Sequence, residues 1–482
     1  MEPPDSPKNQ TFLLISERFS SIMKPSTKEE YDMKKLITIL LALSLLASLG
    51  VMVSAQSDYT IVSPYSDVVW QGDGAWGAYK GTLHTHSTYS DADIDLATML
   101  KEYYNQGYDF VANSDHGITG VEWNKKQPTL LLYAYQKLSG KKVAHLTDEE
   151  FTAITTGTYP LYDGTVRGTG MTCVTGANEL NNLTLTKCHV NAFFLPEGKG
   201  NGFGGRENGF EKAVAFTEKN GGYSIINHPG DWLESNKDIS TVSDEENIKF
   251  FGDIILGYDT CLGMEVFNEK NSVTPYDRIL WDNLLMYTLP YGKTVLGFSN
   301  TDAHTLDNID SSFSIFMMEE NTAENIKDTM LSGASFLVTR CIKSGNDIIG
   351  PAKGFDVRNK DIPYPVFTKV EVDGHKITVA ADNADTVQFI ADGKVIYKGT
   401  IDSDVTLDLD TIEGAENFSY VRAEVFGDGG LCLTQALVID NGNTPLNYQQ
   451  EKNFSAMAQQ LIFTLKSTRL WTIIIELYRM VK

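Results

Sequence analysis

From about residue 79 to 339, short apolar runs alternate with longer stretches whose apolar positions follow helical spacing. The runs 79–85, 110–114, 172–178, 188–195, 223–227, 264–267 and 295–300 read as strands. Between them Ile94, Leu96, Met99, Leu100 and Tyr103 recur mainly at helical intervals, and Ile279, Leu280, Leu284 and Leu285 do the same within 275–287. A helix over 323–331 stops at Gly333, a residue type suited to the C-cap. Seven strands alternating with helices predict an α/β fold, barrel-like or doubly wound. The segment 124–171 is too long for a simple connection and reads as an insertion with helices of its own.

After about Ser344 the period changes to two. Val370/Val372, Ile377/Val379, Val405/Leu407/Leu409 and Val421/Ala423/Val425 alternate with polar neighbours. Turn signals at Asp373-Gly374, Asp392-Gly393 and 427–430 divide them, which predicts a small all-β sandwich domain over 346–440. The tail 446–482 returns to helix, with apolar positions at 454, 457, 458, 461, 462 and 465, then at 470, 473, 474, 477, 478 and 481. Its second helix carries Arg469, Arg479 and Lys482 beside the apolar face and Trp471 near its start. Such a helix can lie on an anionic membrane surface as a peripheral contact, or pack on the protein; it is too short and too charged to span a bilayer.

The N-terminus has a different pattern. Lys34 and Lys35 precede the uncharged run 36–53, which ends in Val53-Ser54-Ala55-Gln56. A basic start, an apolar stretch and small residues at the end predict a secretory signal over about 33–55, cleaved after Ala55, with an uncleaved N-terminal anchor as the rival. Either Met33 is then the true start or residues 1–32 are a disposable extension, and the folded α/β part spans 56–345. The expected localisation is secreted or cell-surface.

Charge narrows the partners. Lys plus Arg number 40 against 63 Asp plus Glu, a net charge of −23. Such a chain repels phosphate backbones unless bound cations intervene, so nucleic acid is not an expected partner. Cysteines at 173, 188, 261, 341 and 432 are scattered with no CxxC pair, which excludes a disulfide-dense scaffold and a cysteine zinc ribbon.

The candidate chemistry lies in the histidines. Of the 8 in the chain, six fall at or beside predicted strand ends, in short polar motifs with acids among them. His84-Thr85-His86 closes the first strand and Asp91 follows; Asp115-His116 closes the second; Glu179 ends the third and His189 opens the next. Asn227-His228-Pro229 ends the fifth, and Asp302-Ala303-His304 follows the last. Chance would spread six histidines through helices and loops. Strand C-terminal ends are where a parallel α/β fold gathers its site, so these distant positions are expected to converge. Imidazole and carboxylate bind Zn, Mn or Fe, and in HxH both rings of an extended strand point the same way. Nine ligands exceed one tetrahedral site and fit two or three divalent ions, with a carboxylate such as Glu179 able to bridge. His145 and His375 stand outside the pattern and read as structural.

This ordered set of motifs resembles the PHP superfamily, named for its polymerase and histidinol-phosphatase members, over roughly 79–340. The resemblance implies a distorted seven-stranded (β/α) barrel with a trinuclear metal cluster at its mouth. By motif, His84, His86, Glu179 and Asp302 would hold one ion, Glu179, His189 and His228 a second, and Asp91, His116 and His304 the third. Secreted members with an added β domain occur in the superfamily, and 419–425 looks like the β domain of a group that cleaves esters and carbamates. The 124–171 insertion departs from the pattern and would shape the pocket.

The reaction expected is metal-assisted hydrolysis, in which a bridging water of lowered pKa attacks phosphorus or carbonyl as hydroxide. Asp302 could orient that nucleophile, while Asp115 and Glu265 are candidates for a general acid or for support of the ligands. Arg167 and Arg206 are candidate phosphate clamps, and the glycine-rich 198–205 reads as a loop at the mouth. The leading expectation is an exported metal-dependent phosphoesterase acting on a small-molecule ester. Its alternatives are a hydrolase of carboxyl esters, amides or carbamates on the same ions, or a non-enzymatic surface- or carbohydrate-binding protein. The β domain supplies none of the nine ligands, so it is expected to be dispensable for chemistry but not necessarily for folding.

Overall fold

A computed structural model describes residues 59–128, 138, 140–181, 188–201, 209–233, 239–270, 274, 276–342, 356–357, 360–449 and 451–453. The signal and extension over 1–55, Arg206 and the apolar positions 454–481 of the tail lie outside the described residues. Thr60–Leu446 is one compact unit. The other, Met1–Tyr59 with Asn447–Lys482, is described only at 59, 447–449 and 451–453, the last three helical. Among the described residues no helix is long and apolar enough to cross a membrane.

The alternating segment forms two principal sheets. The parallel strands Gly77–Thr82, Phe110–Ala112 and Thr172–Val174 belong to the first, and Ser312–Met318 and Ser335–Thr339 extend it in antiparallel fashion. The second runs Asn178–Leu180, Val190–Phe193, Tyr223–Ile226, Cys261–Asn268, Leu296–Asn300, with its last three strands parallel. Leu83, Phe110 and Phe316 from the first meet Phe193, Ile225 and Phe298 from the second in one buried cluster. The outer face of the second sheet is covered by the helices Phe210–Lys219, Glu245–Gly257 and Asp277–Thr288, through Val214, Phe251 and Trp281 among others. The helix Leu96–Asn105 buries Leu96, Met99, Leu100 and Tyr103, the positions its periodicity marks, and is capped by Asp95. Within the 124–171 insertion, Asp148–Thr155 is a helix opened by a capping box of Thr147 and Glu150.

The closed barrel expected from the sequence does not form: neither sheet closes on itself or on the other. The reason lies at the seams. On one side Gly176, at φ +77°, turns the chain out of Thr172–Val174 and into Asn178–Leu180; a Cβ there would stand 2.8 Å from the Leu195 carbonyl. On the other side side chains occupy the places of a ladder. Gln435 Oε1 accepts from Gly297 N at 2.9 Å and its Nε2 donates to Gly297 O at 2.7 Å. Ser314 Oγ accepts from Ser299 N at 3.1 Å and donates to Ser299 O at 2.9 Å. Leu296–Asn300 is thus a sheet edge whose outward N–H and C=O groups at Gly297 and Ser299 are satisfied by side chains in place of a second neighbouring strand.

The expected free-standing sandwich also takes another form. Gly430–Thr434 pairs antiparallel with Ser335–Thr339, with Leu433 opposite Leu337. Tyr420–Gly427, Leu437–Asp440, Thr386–Ala391, Lys394–Thr400 and Thr60–Val62 continue that sheet to eleven strands. Among the described residues, Val366–Asp373, Lys376–Asp382 and Val405–Asp408 stand apart as a three-stranded sheet, and Asp356–Val357 pairs with Cys341–Ile342 in a two-stranded one. The join is charged as well as apolar. Buried Arg422 grips both oxygens of Asp282 at 2.7 Å each, and Glu424 accepts from Arg278 at 2.9 Å.

Candidate metal centre

The strand ends named by the sequence are drawn together by backbone bonds. Asp302 N donates to His84 O at 2.9 Å and His86 N to Ala303 O at 3.1 Å, which sets the two histidine motifs side by side. A single bridge likewise sets His116 against Glu179. His228 and Asp302 take left-handed backbone angles, φ +29° and +42°, where their strands end. Non-glycine residues hold such angles when their surroundings over-determine them.

All nine candidate ligands converge. Glu179 lies at the centre, buried, with Oε1 3.2 Å from His84 Nε2, 3.1 Å from His189 Nδ1 and 3.5 Å from His228 Nε2. Its Oε2 is 3.1 Å from His86 Nε2 and 3.1 Å from His116 Nδ1. Asp302 Oδ1 is 3.2 Å from His84 Nε2 and 3.1 Å from His86 Nε2, and its Oδ2 is 3.7 Å from His228 Nε2. Asp91 closes the outer side, with Oδ2 3.4 Å from His116 Nε2 and 3.5 Å from His304 Nε2.

These separations fit ligands around ions. Two atoms bound tetrahedrally at about 2.1 Å lie about 3.4 Å apart, within the range observed. His84 Nε2 and His86 Nε2 face each other at 3.1 Å. Asp302 Oδ1 and His116 Nδ1 are buried with no aligned hydrogen bond despite those close neighbours. Imidazole and carboxylate atoms converging this closely from several sides are spaced to bind a cation between them. The cluster can hold two or three divalent ions.

Protonation follows from the same crowding. Burial disfavours charged histidine, yet Asp302, Glu179 and Glu265 outweigh it and raise His84 well above its ordinary value. The carboxylates likewise lift His86 and His228 to about 9 and His304 to about 12. His189 moves down, through burial and the neighbouring His116 and His228. Against the cost of burial, the histidines hold Glu179 and Asp302 well below the usual carboxylate range.

The remaining candidates separate. Glu265 is buried and accepts from His84 Nδ1 at 2.7 Å, from His228 N at 3.0 Å and from Asn268 and Asn300. It acts through His84 and His228. Asp115 accepts from Ser87 N and Oγ, Asn113 and Ser90 Oγ, so it braces the loop after His86. Ser90 Oγ in turn is 3.3 Å from His86 Nδ1. Arg167 is no clamp at this centre: it pairs with Asp109 at 2.6 Å, just ahead of the strand whose far end leads to His116. At the start of the glycine-rich loop, Asn201 accepts from Thr119 N at 2.7 Å. His145 meets Tyr89 OH at 3.0 Å and His375 pairs with Asp410.

Four supporting residues escaped the sequence reading. Asn227 donates to Glu179 Oε1 at 2.7 Å and Asn268 to Asp302 Oδ2 at 3.1 Å. Trp232 lies tilted against His189, 4.6 Å between centroids, and Glu269 stands 3.7 Å from His304 Nδ1. Asn227 adjoins a motif histidine and could have been found that way. Asn268 depends on a register shift between Glu265 and Phe267, which no periodicity reveals.

No protein-family model matches the chain, and no curated protein does either. Among solved structures, similarity is found to a two-domain protein from Bacteroides vulgatus containing a predicted PHP-like metal-dependent phosphoesterase, at 16% identity and TM-score 0.38, over 80% of this chain and 100% of that one. PsfC from Pseudomonas syringae is similar over 50% of this chain and 83% of its own, at 15% identity and TM-score 0.30. The lesion-specific endonuclease PfuEndoQ from Pyrococcus furiosus is similar over 53% and 56%, at 14% identity and TM-score 0.28. At these values the likenesses fix neither family nor activity, and the functional reading rests on the centre itself.

Proposed function

We propose that this chain is an exported metal-dependent phosphoesterase of the PHP type. One observation carries the reading: six histidines and three carboxylates from separate strand ends meet with ligand atoms 3.1–3.7 Å apart around a buried Glu179. His84, His86, Asp302 and Glu179 would hold one ion, Glu179, His189 and His228 a second, and Asp91, His116 and His304 a third. Bound divalent ions supply Lewis acidity and lower the pKa of water, the chemistry that ester hydrolysis needs.

The chain's own groups do the positioning. The proton on His84 Nδ1 is held by Glu265, which leaves the Nε2 lone pair facing the cluster. Asn227 and Asn268 fix one oxygen each of Glu179 and Asp302. Asp302, whose Oδ1 faces His84 and His86 at 3.2 and 3.1 Å, would orient the nucleophile while holding metal. With a net charge of −23, the protein needs those cations to attract an anionic ester.

The test is hydrolysis of a panel of phosphomonoesters, phosphodiesters and aryl carboxyl esters by protein reconstituted with Zn, Mn or Fe. Phosphoester turnover abolished by chelation is expected. Turnover confined to carboxyl esters would replace this reading with the other hydrolase.

A further inference from the structure

The outermost ligand of the cluster has a partner that the assignment above leaves unused. His304 offers Nε2 to Asp91 Oδ2 at 3.5 Å. Its other nitrogen, Nδ1, donates to the backbone carbonyl of Asp302 at 3.0 Å. Beside that nitrogen stands Glu269, with Oε1 at 3.7 Å. The distance is beyond a hydrogen bond and within an ion pair. Glu269, Asp302 and His304 form a group of metal-ligating residue types, but Nδ1 already carries a donated proton and has no lone pair for an ion. The group is therefore not a further metal position. It is a negative charge placed behind the ring.

Glu269 is held where it is. Its N–H donates to Asn300 O at 3.2 Å, its carbonyl accepts from Ser312 Oγ at 2.8 Å, and its backbone is left-handed at φ +45°. A carboxylate behind a ligating imidazole fixes the tautomer and makes the facing nitrogen more basic. Here that help falls at the most open position: the side chains of Asp91 and His304 are 41% and 34% exposed, whereas those of His84, His86 and Glu179 are buried.

We propose that Glu269 is a positioning residue that sets the occupancy of the Asp91–His116–His304 metal position, by placing a negative charge behind His304 that, together with the Asp302 carbonyl, keeps Nδ1 protonated and Nε2 facing the ion. This rests on reading the cluster as a metal centre. The position filled with Glu269's help is then the weakest and most exchangeable of the three.

Calorimetric titration of metal-free protein with Mn²⁺, checked by elemental analysis, tests the proposal without reference to activity. Wild type is expected to take up two tighter ions and one weaker. E269Q keeps the shape and removes the charge, and should weaken only the third ion by about tenfold, the low end of what loss of a ligand's outer partner costs. E269A should do the same, and E269D should recover part of the loss. Unchanged third-ion affinity in E269Q overturns the proposal, as does loss of the two tighter ions in E269Q, since the ion pair of Glu269 is with His304 and its approach to Asp302 is carboxylate to carboxylate. Wild type that binds two ions and no third also overturns it while the metal centre stands. Wild type that binds none overturns the metal centre itself.

Discussion

Glu179 is the residue on which the centre depends most. Its two oxygens approach five histidines, so a change there disturbs more than one ion position, whereas each histidine serves fewer. Glu179→Gln should therefore lower both metal content and turnover more than alanine at any one of the six histidines; elemental analysis and initial rates check this. Glu265→Gln should weaken metal binding about 10- to 100-fold, because the His84 tautomer loses its partner, while the fold is kept. The raised histidines fix the pH dependence. In the metal-free protein, His86 and His228 have folded values of about 9 against 6.5 when unfolded. Their charged forms stabilise the fold fully below about pH 6.5, and that contribution is lost as pH rises through about 9. Metal binding must displace the same protons, so affinity should rise across that window while metal-free stability falls. Titrations and urea unfolding at pH 6, 7.5 and 9 should show the two trends opposed.

At the scale of elements, the helices and parallel strands are legible where one face is buried. Leu96, Met99, Leu100 and Tyr103 repeat at helical spacing because one side of their helix meets the sheet. Ser312–Met318 and Ser335–Thr339 lie outside the predicted strands, although they are as fully buried as Leu296–Asn300, which is among them. The nine clustered residues are visible because histidine is scarce and falls at strand ends. Glu269 is not visible: it is one of 63 acidic residues and nothing in its spacing sets it apart. Sheet closure is illegible in the sequence for a related reason. Whether Leu296–Asn300 finds a partner strand depends on Ser314 and Gln435, and Gln435 lies 138 residues from Gly297. Gln435→Ala would leave a buried N–H and C=O of Gly297 unpaired, at a cost of about 1–3 kcal/mol for each. Urea denaturation should show a loss of about 2 kcal/mol or more, and a shift below about 0.5 kcal/mol would remove this account of the seam.

For the whole molecule, most of the all-β region is part of the principal sheet rather than a separate sandwich domain. Because Gly430–Thr434 pairs with Ser335–Thr339 and Arg422 is buried against Asp282, a chain ended near residue 350 exposes a hydrophobic strand edge and leaves Asp282 without its buried cation. Such a truncation should be insoluble or fail to unfold cooperatively, contrary to what the absence of ligands in that region alone suggests. The proposed export predicts an N-terminus at Gln56 in secreted protein, read by N-terminal sequencing. All of the chemistry depends on the cluster being a metal centre. Elemental analysis of the purified chain after reconstitution with Zn, Mn or Fe measures that directly. Two or three ions per chain, lost on chelation together with hydrolytic activity, is the predicted result; fewer than one ion per chain would contradict it.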